Sequence, residues 1–248
     1  MTNYQLDYAS HRKQMYDAQS RIKKAERMIK LLSHYFGQDK LQELSLLDLG
    51  SSTGIIAHEL SKNFKIVVGI DIDQEGINFA KKNFKKKNLK FQLADAMKLP
   101  FKNSSFDVVI CAHVYEHVPN AKKLMAEIHR VLKPNGACYF AAVNALWPIE
   151  PHYNLPFLSY LPKNIAHHYV RLFGKADAYY ESPRFKPGLK ELTLKFKVID
   201  YTDKILSSPS RYGFDDKIKG TRAIIAKVLA PLSKELAPTF FWLLVKEK

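Results

Sequence analysis

Residues 46–54 read LLDLGSSTG, and this stretch decides how the rest of the chain is interpreted. An apolar run contains the acid Asp48 near its end, and two glycines, Gly50 and Gly54, stand four positions apart. A strand that runs into a glycine turn and then a helix commonly holds a cofactor. The turn has Ser52 where a dinucleotide fingerprint requires its middle glycine, and no Gly-Lys-Ser/Thr ending of a phosphate-binding loop follows. The stretch therefore predicts a cofactor turn of another kind.

The bulk composition is that of a globular protein with a basic surface. The chain has 248 residues, of which 46% are hydrophobic and 25% charged, and a net charge of +15. No stretch reaches the ~20 apolar residues of a membrane span, and we expect no secretory signal in the polar N-terminus. Cys111 and Cys138 lie inside apolar runs, so we expect buried, reduced thiols and a cytoplasmic protein. The charge favours an anionic partner, such as nucleic acid, acidic lipid or an anionic substrate.

Short apolar runs alternate with helix-like segments after a one-sided helix pattern at 14–36. The apolar runs are 44–49, 65–72, 89–93, 106–112 and 137–143, and the helix-like segments are 54–62, 74–87 and 121–132. Two further strands are predicted at 192–201 and 239–246, with a helix face from Ile218 to Leu236 between them. Right-handed crossovers join such units into a parallel sheet. The chain is therefore predicted to be an α/β protein with a Rossmann-like, mostly parallel sheet of seven strands and helices on both faces.

The regular alternation stops after Val143. Residues 144–188 contain six prolines and many aromatic residues. This segment is too apolar for a disordered linker and too irregular for another strand–helix unit. We expect one domain over 1–248, composed of an N-terminal helical segment (1–40), a cofactor-binding core (41–143), an aromatic-rich cap inserted after strand five (144–188), and C-terminal strands and a helix that complete the sheet (189–248).

Acids and a histidine stand at the ends of the first four predicted strands. They are Asp48, Asp71, Asp95 and His113, in strand order. Because the carboxyl ends of parallel strands share one edge of a sheet, we expect these residues around one pocket. Three carboxylates would repel a polyphosphate but would bind a ligand with hydroxyls, an amine and a positive charge. Asp71 lies 21 residues after Gly50, a spacing that suits the two hydroxyls of a ribose.

Five segments together resemble class I S-adenosylmethionine (SAM)-dependent methyltransferases, most of all the broad type 11 group that includes quinone-biosynthesis enzymes. They are DLGSSTG, GIDID, LADAMKLPF, FDVVICAHVYEHV and EIHRVLKPNGACYF, and they cover roughly residues 40–145. The resemblance implies SAM as the cofactor. By position it implies a turn around the methionine part of SAM from Asp48, Gly50, Ser52 and Gly54, ribose binding by Asp71, adenine contacts from Ile72, Asp95 and Ala96, and a methionine-side wall at His113. Ser52 departs from the middle glycine that is usual in the family.

Candidate bases are two histidines, which are needed only if the acceptor arrives protonated. His152 follows the fifth strand, where the acceptor is expected to enter, and is either a base or orienting residue or part of the cap packing. His117 is either a base or a helix-start residue that orients its loop. His113 and His117 stand four apart, but their order is wrong for the zinc motif HExxH, so no metal is expected.

The aromatic segment is the best indication of the acceptor. Trp147, Tyr153, Phe157 and Tyr160 offer an apolar wall or an interfacial surface, and basic residues follow in the next segment. Together with the positive charge, this favours a small, apolar or lipid-like acceptor, methylated at oxygen, and peripheral contact with an anionic membrane.

Two other functions fit parts of the sequence. RNA methylation is compatible with the charge, but the end of strand four, CAHVYEH, lacks the Asn/Asp-Pro-Pro-aromatic motif of amino-adenine methylases and the Pro-Cys nucleophile of cytosine-C5 enzymes. A SAM-binding scaffold without turnover would keep the same three acids, so these residues do not separate it from an enzyme.

Overall fold

The computed structural model describes residues 12–216 and 235–247 and contains a seven-stranded sheet with the order β3-β2-β1-β4-β5-β9-β8. Its strands are β1 (Ser45–Leu49), β2 (Ile66–Asp71), β3 (Leu89–Leu93), β4 (Phe106–Ala112), β5 (Leu132–Val143), β8 (Lys197–Asp200) and β9 (Thr239–Val245). The strand β9 is antiparallel to both of its neighbours, and the other pairings are parallel. The predicted mostly parallel, Rossmann-like sheet is confirmed.

Helices cover both faces of this sheet. They are α1 (Ala18–Phe36), α2 (Ile55–Leu60), α3 (Gln74–Asn83), α4 (Ala121–Val131), α5 (Lys163–Leu172), α6 (Lys186–Leu192) and α7 (Thr202–Ser207). Side chains of Asp17, Asp73 and Asn120 accept backbone N–H groups at the starts of α1, α3 and α4, which satisfies donors that a helix leaves unpaired. Across 12–216 and 235–247, no helix is long and apolar enough to cross a membrane.

Alternate strand residues enter two separate cores, as a sheet buried on both faces requires. Leu46 and Val108 pack on one face, in a cluster that includes residues of α1, α2 and α3. Leu47 and Val109 pack on the other face with residues of α4 and α6. The strand period of two therefore explains why the predicted runs are almost continuously apolar.

Two predicted elements need correction. β5 begins at Leu132 instead of residue 137, because its first residues pair with β4 before a register shift. The strand predicted at 192–201 is shorter, since Leu192 ends α6 and β8 spans only Lys197–Asp200. Buried Leu189 and Leu192 lie on one face of α6, so the apolar start of this run has a helical spacing. The C-terminal helix predicted from Ile218 lies, for most of its length, outside the described residues.

The segment after β5 contains a short hairpin, β6 (Ile149–Glu150) and β7 (Leu155–Pro156), followed by α5. It has a small apolar cluster of its own, formed by Tyr153, Leu155, Leu158, Ala166, Val170 and Tyr179. The cap therefore packs on itself while the sheet keeps its two cores.

Gly54 closes the turn between β1 and α2 with φ of +77°, in the left-handed region that favours glycine. A Cβ atom at this position would lie 2.6 Å from Ala80 Cβ and 2.7 Å from Phe91 Cζ. The helix α3 and the strand β3 thus press against this glycine, and the turn depends on the missing side chain.

We predict that Gly54→Ala destabilises the chain by roughly 2–4 kcal/mol, the sum of left-handed backbone strain and overpacking. Gly174→Ala is the matched control, because Gly174 has φ of +60° but open space around it. It isolates the backbone cost, roughly 1–2 kcal/mol. Urea denaturation of both variants measures the difference, and equal losses would show that the contacts with Ala80 and Phe91 cost nothing.

Candidate functional site

A cavity of about 470 Å³ lies at the carboxyl ends of the central strands. Its wall includes nine of the eleven site residues predicted from the sequence, which are Asp48, Gly50, Ser52, Asp71, Ile72, Ala96, His113, His117 and His152. The cap adds Trp147 and Pro151 to the same wall. The structure therefore brings the strand ends and the cap histidine to one space.

Gly54 and Asp95 are the two predicted site residues outside this wall. Gly54 has the packing role described above, behind the turn. The Asp95 carboxylate accepts the Met97 N–H at 2.7 Å and so stabilises the turn after β3. Its neighbours Ala94 and Ala96 do line the cavity. An adenine contact from Asp95 stays a prediction.

Asp71 ties together the segments that form the floor of the cavity. Its Oδ2 accepts the Ser52 N–H at 2.7 Å, and its Oδ1 accepts the Asp73 N–H at 2.9 Å. Burial raises the pKa of Asp71, although these two backbone donors act in the opposite direction. Ser52 has φ of +49°, a conformation that is easier for glycine and explains why glycine is usual at this position. Serine is accommodated here because Asp71 holds its amide.

Asp48 is a buried acid with one unused oxygen. Its Oδ2 accepts no hydrogen bond from any described residue. Burial raises the pKa of Asp48 to about 7, and the positive charge of Arg21 on α1 acts against that rise. A buried oxygen without a donor is costly to keep, so it favours a ligand that supplies an N–H or a positive charge.

The wall formed by α1 was missed by sequence reasoning. Arg21, Lys24 and Arg27 of this helix line the cavity opposite the acids. Arg27 donates to the Gly213 carbonyl oxygen at 2.9 Å and pairs with Asp216 at 2.5 Å. The burial of Arg21 and Arg27 on an amphipathic helix is unusual for arginine, but only the packing of α1 shows which space they face.

Histidines and buried glutamates surround the other end of the cavity, near the cap. His113 Nδ1 lies 3.5 Å from Glu116 Oε1, His117 Nδ1 lies 3.7 Å from Glu181 Oε1, and His152 Nδ1 lies 2.6 Å from Glu150 Oε1. The rings of His117 and His152 meet edge to face, with centroids 4.9 Å apart. The three glutamates were also missed, although each of HVYEH and IEPH places a glutamate within two residues of a histidine.

The two central histidines of this group have pKa values shifted in opposite directions. Burial lowers the pKa of His117. Burial acts in the same way on His152, but the hydrogen bond and charge of Glu150 outweigh it and raise the pKa. Burial would raise the pKa of Glu116, yet the facing histidines His113, His117 and His152 lower it. The arrangement therefore keeps Glu116 ionised in a buried place.

The sheet order, with one antiparallel strand, and the cavity at the strand ends belong to a fold that the chain shares with solved SAM-dependent methyltransferases. Residues 47–140 match the family described as "Methyltransferase domain", so this part of the chain is a methyltransferase domain. The crystal structure of a SAM-dependent methyltransferase from Mesorhizobium loti has a TM-score of 0.57 at 14% identity, over 83% of this chain and 92% of that one.

Two curated relatives are enzymes of quinone biosynthesis by name. The chain is 33% identical over 147 residues to a demethylmenaquinone methyltransferase of Lactococcus lactis, covering 57% of each chain. It is 31% identical over 157 residues to a ubiquinone biosynthesis O-methyltransferase of Rickettsia akari, covering 60% of each chain. The matched part thus spans somewhat more than half the length of these relatives.

We predict that the free energy of unfolding of the SAM-free chain falls between pH 5 and pH 8, and that this fall is about 2–3 kcal/mol smaller in the Asp48→Asn variant. The folded-state pKa of Asp48, about 7, lies above that of an unfolded aspartate. Its stabilising effect is therefore complete below the unfolded pKa and is lost as the pH rises through about 7. Urea denaturation at both pH values measures this.

The exposed Asp39 supplies the control for this experiment. Asp39→Asn should keep the pH dependence of the wild type. If Asp48→Asn also keeps the pH dependence of the wild type, the pKa of Asp48 is not raised in the folded chain.

Proposed function

We propose that the chain transfers a methyl group from SAM to an oxygen atom of a small, lipid-like acceptor related to a quinone precursor. One cavity that joins the acid-lined turn after β1 to the histidines and Trp147 of the cap supports this most directly. The two relatives, a demethylmenaquinone methyltransferase and a ubiquinone biosynthesis O-methyltransferase, support a lipid-like acceptor. The choice of oxygen rests on the polar groups at the cap end.

The residues at the floor of the cavity fit the cofactor. Bound SAM supplies a methyl group that is already activated by its positively charged sulfur. The Asp71 carboxylate would accept the ribose hydroxyls, with Ile72 and Ala96 beside the adenine. The unused Oδ2 of Asp48 would accept an N–H of the methionine amine, which would relieve the cost of its burial. Together these contacts with the cofactor would position its methyl group relative to the cap.

The residues at the cap end would hold the acceptor. His152 lines the cavity and is fixed through Nδ1 by Glu150, which also accepts the backbone N–H groups of His152 and Tyr153. A side chain held in this way can orient and activate a hydroxyl group. In the overall reaction the acceptor O–H bond and the S–CH₃ bond break, an O–CH₃ bond forms, and one proton is released. Alignment of the two reacting atoms contributes most of the expected acceleration.

We expect Asp71→Ala to weaken SAM binding at least tenfold, because charged hydrogen bonds are worth about 1.5–3 kcal/mol. We expect His152→Ala to slow turnover by roughly 10²–10⁴-fold with little change in SAM affinity. Calorimetry with SAM and S-adenosylhomocysteine measures binding. His168→Ala, on the exposed side of α5, is the matched control for both properties. SAM binding unchanged by Asp71→Ala would contradict the cofactor site.

The acceptor class is tested by incubating the chain with labelled SAM and, in parallel, lipid extract, total RNA and a pool of small polar metabolites. Label in a lipid-soluble product that is stable as a methyl ether is expected. Label only in RNA would overturn the proposal in favour of nucleic-acid methylation, which the charge of +15 also permits. Tight SAM binding with no labelled product in any pool would favour a scaffold without turnover.

We also propose that the cap touches an anionic membrane from which the acceptor is drawn. Phe157 is 56% exposed and contacts Tyr160, which stacks on the exposed Phe185. Trp147 links this aromatic group to the cavity, since it lines the wall and is itself partly exposed. Exposed aromatic residues on a strongly basic protein fit an interface of apolar tails and negative headgroups.

Sedimentation with vesicles tests the membrane contact. The chain should bind vesicles that contain phosphatidylglycerol and bind neutral phosphatidylcholine vesicles less. Phe157→Ser should weaken that binding several-fold, whereas Leu194→Ser, at an even more exposed apolar residue outside the cap, should not. Equal effects of the two substitutions would contradict a docking role for the cap.

A further inference from the structure

One carboxylate and two imidazoles converge at the cap end of the cavity. Glu116, His117 and His152 each place one ligand atom within 4.8 Å of those of the other two. Glu116 and His117 belong to the loop after β4, whereas His152 belongs to the turn between β6 and β7. The three side chains thus come from opposite walls and meet across the cavity end.

The buried carboxylate of Glu116 lacks the hydrogen-bond donors that a buried charge needs. It is 1% exposed, and neither of its carboxylate oxygens accepts a hydrogen bond from any described residue. The His113 Nδ1 atom, at 3.5 Å from Oε1, is too distant for a good hydrogen bond. An ionised carboxylate buried without such partners costs several kcal/mol. A cation bound to its oxygens would remove that cost.

Further carboxylates orient the two imidazoles. Glu150 holds His152 Nδ1 at 2.6 Å and is itself fixed by two backbone N–H groups, at 2.8 and 2.9 Å. This leaves Nε2 as the atom of His152 that can bind a ligand. Glu181 lies 3.7 Å from His117 Nδ1. Histidines that bind metals commonly give their other ring nitrogen to a carboxylate, which fixes the ring and increases its basicity.

The side chains of the cluster favour a cation, and its donor atoms favour zinc. Glu116, Glu150 and Glu181 are all buried, and each lies beside a histidine. Two nitrogens and one carboxylate oxygen are a donor set of zinc sites that keep an open position, whereas magnesium and calcium prefer oxygen donors throughout.

We propose that Glu116, His117 and His152 bind a divalent zinc ion whose open coordination position faces the cavity. The role of that position rests on the proposed function: it would receive the acceptor hydroxyl, whose pKa falls on a metal ion, so that the O–H proton passes to water before the methyl group arrives. The zinc site itself does not depend on that role. The motif HVYEH supplies only two of the proposed ligands, and the third, His152, comes from the cap.

Zinc binding can be measured on the full chain directly. The chain is treated with EDTA, dialysed, and titrated with ZnCl₂ by calorimetry, with metal content determined by mass spectrometry after dialysis against equimolar zinc. We expect one zinc ion per chain. Glu116→Gln and His152→Ala should each weaken binding at least a hundredfold, and Glu150→Gln should weaken it about 10–100-fold. His168→Ala, a histidine of the same cap, should bind zinc like the wild type.

SAM titration of the same variants shows whether they remain folded. Cobalt substitution adds a readout independent of turnover, because a four-coordinate Co²⁺ site absorbs strongly in the visible range and His152→Ala should lose that spectrum. A wild-type chain without bound zinc, or His152→Ala and Glu116→Gln variants that bind it normally, would overturn the inference. Lipid methylation by the zinc-free chain would overturn the role of the ion and leave the proposed function standing. Zinc binding without SAM binding would overturn the proposed function and leave the zinc site standing.

Discussion

The carboxylate of Asp71 is the interaction on which the rest of the site depends. With one oxygen it holds the amide of Ser52 in the turn after β1, and with the other it holds the amide of Asp73, which begins α3. The ends of β1 and β2 and the start of α3 are therefore fixed by one side chain. A serine in a left-handed conformation is tolerated at this point because its N–H has a charged partner.

Two buried carboxylates are left incompletely satisfied, one in the cavity wall after β1 and one beside the histidines that line the cap end. Asp48 has one oxygen without a donor and Glu116 has two, whereas each oxygen of Asp71 accepts a backbone N–H, and Glu150 is held by two backbone N–H groups and the His152 ring. The oxygens of Asp71 keep further lone pairs for a ligand, whereas the unpaired oxygens of Asp48 and Glu116 have no donor among the described residues. We assign the end near the turn after β1 to the proposed cofactor and the end under the cap to the proposed acceptor.

The sequence predicts the core of this molecule well because its signals are local. Continuous apolar runs gave the bounds of β3 and β4, and the residues at the strand ends and in the cap gave nine residues of the cavity wall. It failed where contacts join distant segments. Nothing in the sequence brings Glu181 to His117, or His152 to Glu116, because these pairs form only when the cap folds back on the loop after β4. The role of Arg21 likewise depends on how α1 packs.

The position of β9 has a consequence for how the molecule is made. This strand lies between β5 and β8, yet it is the last of the seven strands along the chain, about a hundred residues after the end of β5. During synthesis the backbone edge of β5 that pairs with β9 has no partner strand until β9 leaves the ribosome. This part of β5 includes the apolar residues Phe140 and Ala142. An open strand edge is an aggregation hazard, so the nascent chain is most vulnerable after its cofactor turn has formed and before its sheet is closed.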